Sequence, residues 1–209
     1  MLTVHHLNHS RSHRIMWLLE ELDVPYCIEK YNREPKTGMA PEALKAIHPL
    51  GKSPVITDDG RAIAESGAII DYIVRRHGAG RLSPSPSTPA YDQYVHWLHY
   101  AEGSASLPLV MKGTVDRLND TWRPLKKHVA EELHLHLSYI DSSLASHDFL
   151  LGTDFTAADV QLSFIGELAR VRADRTLYPH MDAWVRRLQA RPAYTAAVAK
   201  GGEYAFAEA

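Results

Sequence analysis

Residues 78–89, GAGRLSPSPSTP, divide the chain into two stretches with different hydrophobic rhythms, and such a cluster of glycine, proline and serine reads as a linker. Before it, short β-like runs at Leu2–Leu7, Tyr26–Tyr31, Val55–Thr57 and Arg61–Ala64 are interleaved with helical patterns. Between the first two, Ile15, Leu18, Leu19 and Leu22 recur at i, i+3, i+4 and i+7, one apolar stripe on a helix. Asp58-Asp59-Gly60 joins the last two runs. Glycine accepts the positive φ of a tight turn, so these strands form an antiparallel hairpin. Ala68, Ile69, Tyr72 and Ile73 mark a further helix ending in Arg75-Arg76-His77-Gly78, with cations in its last turn and glycine beyond. The resulting order is β-α-β-α-β-β-α. After the linker strand signals vanish, and helical stretches are predicted at 90–112, 121–146, 156–172 and 178–191, with a tail rich in alanine and aromatics. The expected organisation is an α/β domain over 1–80, a linker over 81–89 and an all-α domain over 90–209.

The chain has 209 residues, 45% of them hydrophobic, and a formal net charge of −2. A near-neutral balance gives no general attraction to nucleic acid or anionic lipid, which need concentrated basic surface. No apolar run approaches the roughly 18 residues of a membrane span, and the first residues lack the pattern of a secretion signal, so a cytoplasmic protein is expected. A single cysteine, Cys27, excludes a disulfide within the chain and a Cys-x-x-Cys redox pair. It falls inside a predicted strand and reads as a small buried hydrophobe.

The stretch HPLGKSPVITDDGRAIAESGAII, residues 48–70, carries the densest chemistry. Proline is tolerated at the first residue of a strand, where its missing N–H is not needed, and Pro54 fits that place. A cis Ser53-Pro54 bond would turn the backbone donor and acceptor of Ser53 outward, toward an extended peptide. Ser66 stands where a helix begins, and free N–H groups at a helix N-terminus attract an anion such as a carboxylate. A backbone clamp and an anion site separated by one hairpin suit a small, acidic, extended peptide.

Four segments, LNHSRSHRIMWLLEEL, HPLGKSPVI, ESGAIIDYI and FLLGTDFTAADV, together and in this order, make the whole chain resemble the cytosolic glutathione transferases, and among them the serine-type, theta- or phi-like members of bacteria and fungi. The resemblance implies a thioredoxin-like first domain with a cis-proline, a helical second domain, a homodimer, and glutathione as co-substrate without a metal. It further implies that Ser53 pairs with the cysteinyl backbone of glutathione beside Pro54, that Glu65 and Ser66 hold the γ-glutamyl end, and that Lys52 faces the glycyl carboxylate. Ser10, four residues before Arg14 in a Ser-x-x-x-Arg pattern, is the expected catalytic residue. A thiol of pKa about 8.5 is only a few per cent ionised at neutral pH, and a hydroxyl donor near a helix N-terminus favours the thiolate. Ser10 would donate a hydrogen bond to sulfur and would not itself attack.

Simpler roles compete at each position. Ser10 or Ser12 could cap the first helix, Pro54 could simply start a strand, and Glu65-Ser66 could be an N-terminal cap. Thr156-x-x-Asp159 reads as a structural capping box. The 13 histidines are accompanied by no cysteine cluster, and no metal site is expected. His9 is a candidate contact beside glutathione. The electrophile's pocket is expected to involve His9, Ser12, Tyr100, Ser104 and Met111, although aromatic and Met positions there also suit a core or dimer contact. Gly38-Met39-Ala40 stands where many relatives carry a basic residue for the glycyl carboxylate, and His48 where asparagine is usual. Without cysteine at the active position, conjugation to a hydrophobic electrophile or reduction of a hydroperoxide is the expected reaction. The alternative is a catalytically silent interaction module of the same fold.

Overall fold

The computed structural model describes residues 1–207. Strands β1 (Thr3–Leu7), β2 (Cys27–Tyr31), β3 (Val55–Asp58) and β4 (Arg61–Ala64) form one sheet in the order β2-β1-β3-β4. β1 runs parallel to β2 and antiparallel to β3, and β3 pairs antiparallel with β4. Helices α1 (Ser12–Glu21), α2 (Ala43–Ile47) and α3 (Ser66–His77) complete the β-α-β-α-β-β-α order expected from the sequence. At the hairpin Asp59 and Gly60 both take positive φ, 48° and 77°, as a two-residue type I′ turn requires. Because β-strand side chains alternate between faces, Leu7 joins Val55 and Leu44 of α2 in a small core, while Val4 and His6 turn toward the opposite side.

That opposite side holds α1. Every residue from Ser12 to Leu19 is buried, more than a one-sided amphipathic helix requires. The cover comes from β1, α3 and a helix formed by the alanine-rich tail, α9 (Pro192–Gly201). Trp17 meets Tyr194 edge to face at 5.3 Å, and His13 stacks on Tyr204 at 4.2 Å. Arg191 makes a two-pronged contact with the Glu21 carboxylate at 2.6 and 2.8 Å, and Trp17 Nε1 donates to the same carboxylate at 2.8 Å. Gly201 lies close against α1: a side chain there would come within 2.7 Å of Met16 Cε and 3.3 Å of His6 Nε2. The chain from Gln189 onward therefore forms one compact unit with Met1–Leu82, and Ser83–Leu188 forms the other. The apolar face of α1 lacks sufficient cover from its own sequence neighbours, and this returning segment supplies it.

The second unit is helical: α4 (Pro89–Tyr100), α5 (Ser106–Val115), α6 (Arg123–Ser143), α7 (Ala157–Arg172) and α8, whose range is Pro179–Gln189. α4 and α5 are joined by a π-helical turn over Ala101–Ala105, just before Pro108. Proline inside a helix removes a donor and crowds the preceding turn, and the widened turn relieves that conflict. α7 is buried from Ala157 to Ala169 and forms the centre of this unit. Its Thr156–Asp159 capping box is present, and the fully buried Asp159 carboxylate also accepts from Leu150 N and Trp184 Nε1, each at 3.0 Å. Among the described residues, no helix is long and apolar enough to cross a membrane.

Cys27 departs from expectation. It is exposed rather than buried, because β2 is an edge strand with only β1 beside it and shows no fully buried position.

Asp159→Asn would set an amide donor against groups that already donate. It is expected to cost about 2–4 kcal/mol in urea unfolding; a loss below about 1 kcal/mol would show that the carboxylate does not organise the start of α7. A second prediction concerns pH. Burial, with His6 nearby, lowers the His13 pKa to about 3. The unfolded chain gains this proton near pH 6.5 and the folded chain resists it, so the unfolded state binds more protons in between and stability falls as pH drops through that window. His13→Phe keeps a ring against Tyr204 without the titration. Its urea midpoint is expected to fall less steeply between about pH 6 and 4, and an unchanged slope would refute this account.

Candidate functional site

β1 ends at Leu7 and α1 begins at Ser12, so residues 8–11 form the loop that carries Ser10. His9 there takes φ 50°, uncommon for a residue with a side chain. Arg33, just past β2, holds the loop in this shape. Its Nε donates to Asn8 O at 3.2 Å, Nη2 to His9 O at 3.1 Å and Nη1 to Gly38 O at 2.9 Å. Its backbone N–H donates to Asn8 Oδ1 at 3.0 Å. The same guanidinium thus braces the Gly38-Met39-Ala40 segment, the place where the sequence lacks a basic residue. On the other side of the loop, His9 Nδ1 accepts from Ala205 N at 3.1 Å. Sequence reasoning misses Arg33, since one arginine after a strand carries no signal of the carbonyls it will meet.

Ser10 is 5% exposed, and its Oγ lies 2.8 Å from Ser12 Oγ and 3.4 Å from Ser53 Oγ. Ser10 Oγ also accepts from the Ser12 backbone N–H at 3.2 Å, a turn contact one residue ahead of Arg11, the N-cap of α1, which makes no side-chain cap bond. Ser12 itself is fully buried, and its Oγ contacts His6 Nδ1 at 2.8 Å and Leu7 N at 3.3 Å. The requirement that a buried hydroxyl find partners draws Ser12, expected in the electrophile's pocket, inward behind Ser10. No acidic residue stands in the first turn of α1 to oppose an anion there.

Beside Ser10, the Ser53–Pro54 peptide bond is cis, as the resemblance implies. Ser53 Oγ donates to His5 O at 3.3 Å, Pro54 is buried, and Lys52 is exposed. Glu65 is exposed and takes φ 69°, ψ 118° at the entry to α3, with its carbonyl accepting from Ile69 N at 2.8 Å. Ser66 is buried, and Arg14 Nη2 donates to its Oγ at 2.7 Å. The Ser-x-x-x-Arg spacing thus acquires a physical purpose: the loop before α1 carries Ser10 toward Ser53, and the first turn of α1 carries Arg14 toward Ser66.

In the helical unit, Ser104 and Met111 line a cavity of about 300 Å³ together with Leu107, Glu132 and His136. Tyr100 stands next to this wall, its hydroxyl 2.6 Å from His136 Nδ1. Burial, with Tyr139 nearby, pushes the Tyr100 phenol above its usual range, so it stays protonated and bonds to the imidazole as a neutral group.

The glutathione S-transferase N-terminal domain model matches residues 10–76, and the C-terminal domain model matches residues 93–192. Glutathione S-transferase 3 of Schizosaccharomyces pombe is 36% identical over 96% of this chain and 88% of its own length. A glutathione S-transferase structure from Actinobacillus pleuropneumoniae is 32% identical, with a TM-score of 0.91 over 100% of this chain and 97% of that one. A sphingomonad glutathione S-transferase solved in complex with glutathione is 26% identical, with a TM-score of 0.76 over 96% and 98%. With this sequence likeness running through both domains and the same fold beneath it, the chain belongs to the glutathione S-transferase family.

Proposed function

We propose that this chain binds glutathione on its first unit, ionises the thiol with help from Ser10, and directs the thiolate at a hydrophobic electrophile. The observation that carries this reading is the 3.4 Å approach of Ser10 Oγ to Ser53 Oγ, beside the cis-proline. A cysteinyl backbone paired with Ser53 would bring its sulfur toward the Ser10 hydroxyl. Ser66 at the start of α3, braced by Arg14, suits the γ-glutamyl carboxylate. Exposed Glu65 suits its ammonium, and exposed Lys52 suits the glycyl carboxylate. The sphingomonad relative's complex with glutathione supports the choice of peptide.

The chemistry asks little of the protein. Deprotonation sends the thiol proton to solvent, and each unit of pKa depression needs about 1.4 kcal/mol of preference for the anion. One hydroxyl donor and the α1 N-terminus favour the charged sulfur over the neutral thiol. The cavity lined by Ser104 and Met111 is the proposed seat of the electrophile's apolar body, with Tyr100 bracing its wall through His136. His9 is the proposed contact beside the glutathione sulfur. Hydroperoxides are a second proposed substrate class, since a thiolate can attack oxygen as well as carbon. The cytoplasm and a homodimer are the proposed setting and assembly.

Ser10→Ala is expected to raise the pKa of the bound thiol by about one to two units. Ultraviolet absorbance of the thiolate across pH reads this directly, and conjugation of a chlorinated aromatic at neutral pH should fall about tenfold or more with little change in glutathione affinity. Equal thiol pKa values in the two proteins would place the donor elsewhere. Failure of wild-type protein to bind glutathione would favour the silent interaction module. Glu65→Gly supplies a separate check. A non-glycine residue in so rare a conformation costs on the order of 1–3 kcal/mol, so glycine is expected to stabilise the fold while weakening glutathione binding several-fold in calorimetry. Unchanged affinity would remove Glu65 from the site.

A further inference from the structure

Two buried hydroxyls and one imidazole stand in line behind the site: His6 Nδ1 to Ser12 Oγ at 2.8 Å, then Ser12 Oγ to Ser10 Oγ at 2.8 Å, with Ser53 Oγ 3.4 Å beyond. A serine hydroxyl has one proton to donate and two lone pairs to accept with, so the protonation of His6 Nδ1 biases the direction of the row, with Leu7 O as the competing acceptor for the Ser12 proton. With a bare Nδ1, Ser12 gives its proton to the imidazole. Ser10 must then donate back to Ser12, and its proton faces away from the site. With a protonated Nδ1, Ser12 accepts from His6 and from Leu7 N at 3.3 Å, and of the two acceptors within reach of its own proton, Ser10 Oγ at 2.8 Å and Leu7 O at 3.3 Å, the closer one, Ser10, receives it. Ser10 then accepts from Ser12 Oγ and from Ser12 N at 3.2 Å. Both of its lone pairs are occupied, and its proton has to point outward, past Ser53.

We propose that His6 is a positioning residue for the reaction: its Nδ1–H, donated to Ser12, orders the two serine hydroxyls so that the Ser10 proton is presented to the glutathione sulfur. This rests on the reading of Ser10 as the thiol's hydrogen-bond donor and adds the residue that aims it. His6 acts through Ser12 and Ser10 and touches no substrate. Its surroundings suit a fixed neutral ring. Burial, then Lys30 and His9, lower its pKa to about 4, so the imidazole does not exchange its role for that of a cation near neutral pH. Gly201 leaves room for its far edge, where a side chain would come within 3.3 Å of Nε2. No net proton transfer runs along the row; it sets orientation only.

The test is the pKa of the bound glutathione thiol in wild type, Ser10→Ala, His6→Leu, His6→Asn and the Ser10→Ala/His6→Leu double variant. Leucine and asparagine have the same outline, and asparagine's Nδ2 can take the place of Nδ1–H. His6→Leu is expected to raise the thiol pKa by about half a unit to one unit, His6→Asn to restore most of that shift, and the leucine change to have no further effect once Ser10 is alanine. A folded His6→Leu with the wild-type thiol pKa overturns the proposal while leaving the Ser10 reading intact. So does an equal shift in the Ser10→Ala background, which would mean that His6 acts without the row. No shift from Ser10→Ala itself defeats the underlying reading first. Should His6→Leu fail to fold, nitrogen-15 spectra of wild-type imidazoles decide the matter: a neutral His6 protonated at Nδ1 supports the proposal, and one protonated at Nε2 overturns it.

Discussion

The burial of α1 is the constraint on which the first unit depends. A helix covered from Ser12 through Leu19 cannot be stabilised by one sheet face, because a sheet reaches only one stripe of it. α3 takes a second side, and the chain must return after Leu188 to supply α9 for a third. Fully burying side chains such as Trp17, Leu18 and Leu19 is worth about 1.5–3 kcal/mol each, so omission of the returning segment would expose a large part of the unit's apolar interior. The same return places Arg191 and Lys200 on Glu21 and Glu20, so both acidic residues at the end of α1 find cations on the segment that covers it.

A helix so enclosed imposes a condition on its polar residues. Ser12 and Arg14 lie inside, and buried polar groups are tolerated when hydrogen-bonded. Ser12 finds His6, Leu7 and Ser10; Arg14 finds Ser66. These bonds fix the hydroxyl of Ser10 and the start of α3 relative to the same turn of helix. Packing and positioning are therefore one requirement here, since the partners that make burial tolerable also aim the groups at the site. In the helical unit Asp159 meets the same condition with Thr156, Leu150 and Trp184, and there the result is a fixed helix start.

Most of the first unit is legible in local sequence pattern. The four strands and the Asp59-Gly60 turn follow from residues adjacent in the chain, while the cis Ser53–Pro54 bond is what the resemblance implies. Relations between distant segments are not legible in this way. PAYTAAVAKGG, residues 192–202, has proline at its start and glycine at its end, yet its run of small residues gives a weak apolar stripe, and only the bareness of α1 reveals its purpose. Cys27 reads as buried, yet is exposed, because a strand's own residues do not say whether it sits at a sheet edge. Ser10 and Ser12 are alike in composition and spacing, and only the meeting of β1 with β3 puts one beside Ser53 and the other beside His6. Arg33 reads as a surface cation until the carbonyls of Asn8, His9 and Gly38 converge on it.

The cavity of the helical unit has a different origin. Its cavity lies at the π-helical turn Ala101–Ala105, where an extra residue pushed into the helix and the absent side chain of Gly103 leave space that regular winding would fill. Pro108 prevents the turn from relaxing to an unbroken α-helix without a clash one turn earlier, so the space is a product of the covalent chain and not of a ligand. Met111 and Leu107 on its wall are flexible, apolar side chains suited to guests of varied shape, while His136 is held to Tyr100 by a 2.6 Å bond. As the proposed seat of an electrophile, a wall with one fixed polar point and otherwise soft contacts would discriminate by size and apolar area rather than by hydrogen-bond pattern, and differences of that kind are worth only about 1–3 kcal/mol per methylene. Buried polar groups are matched most closely at the end of β1, whereas the cavity of the helical unit forms where the helix is widened.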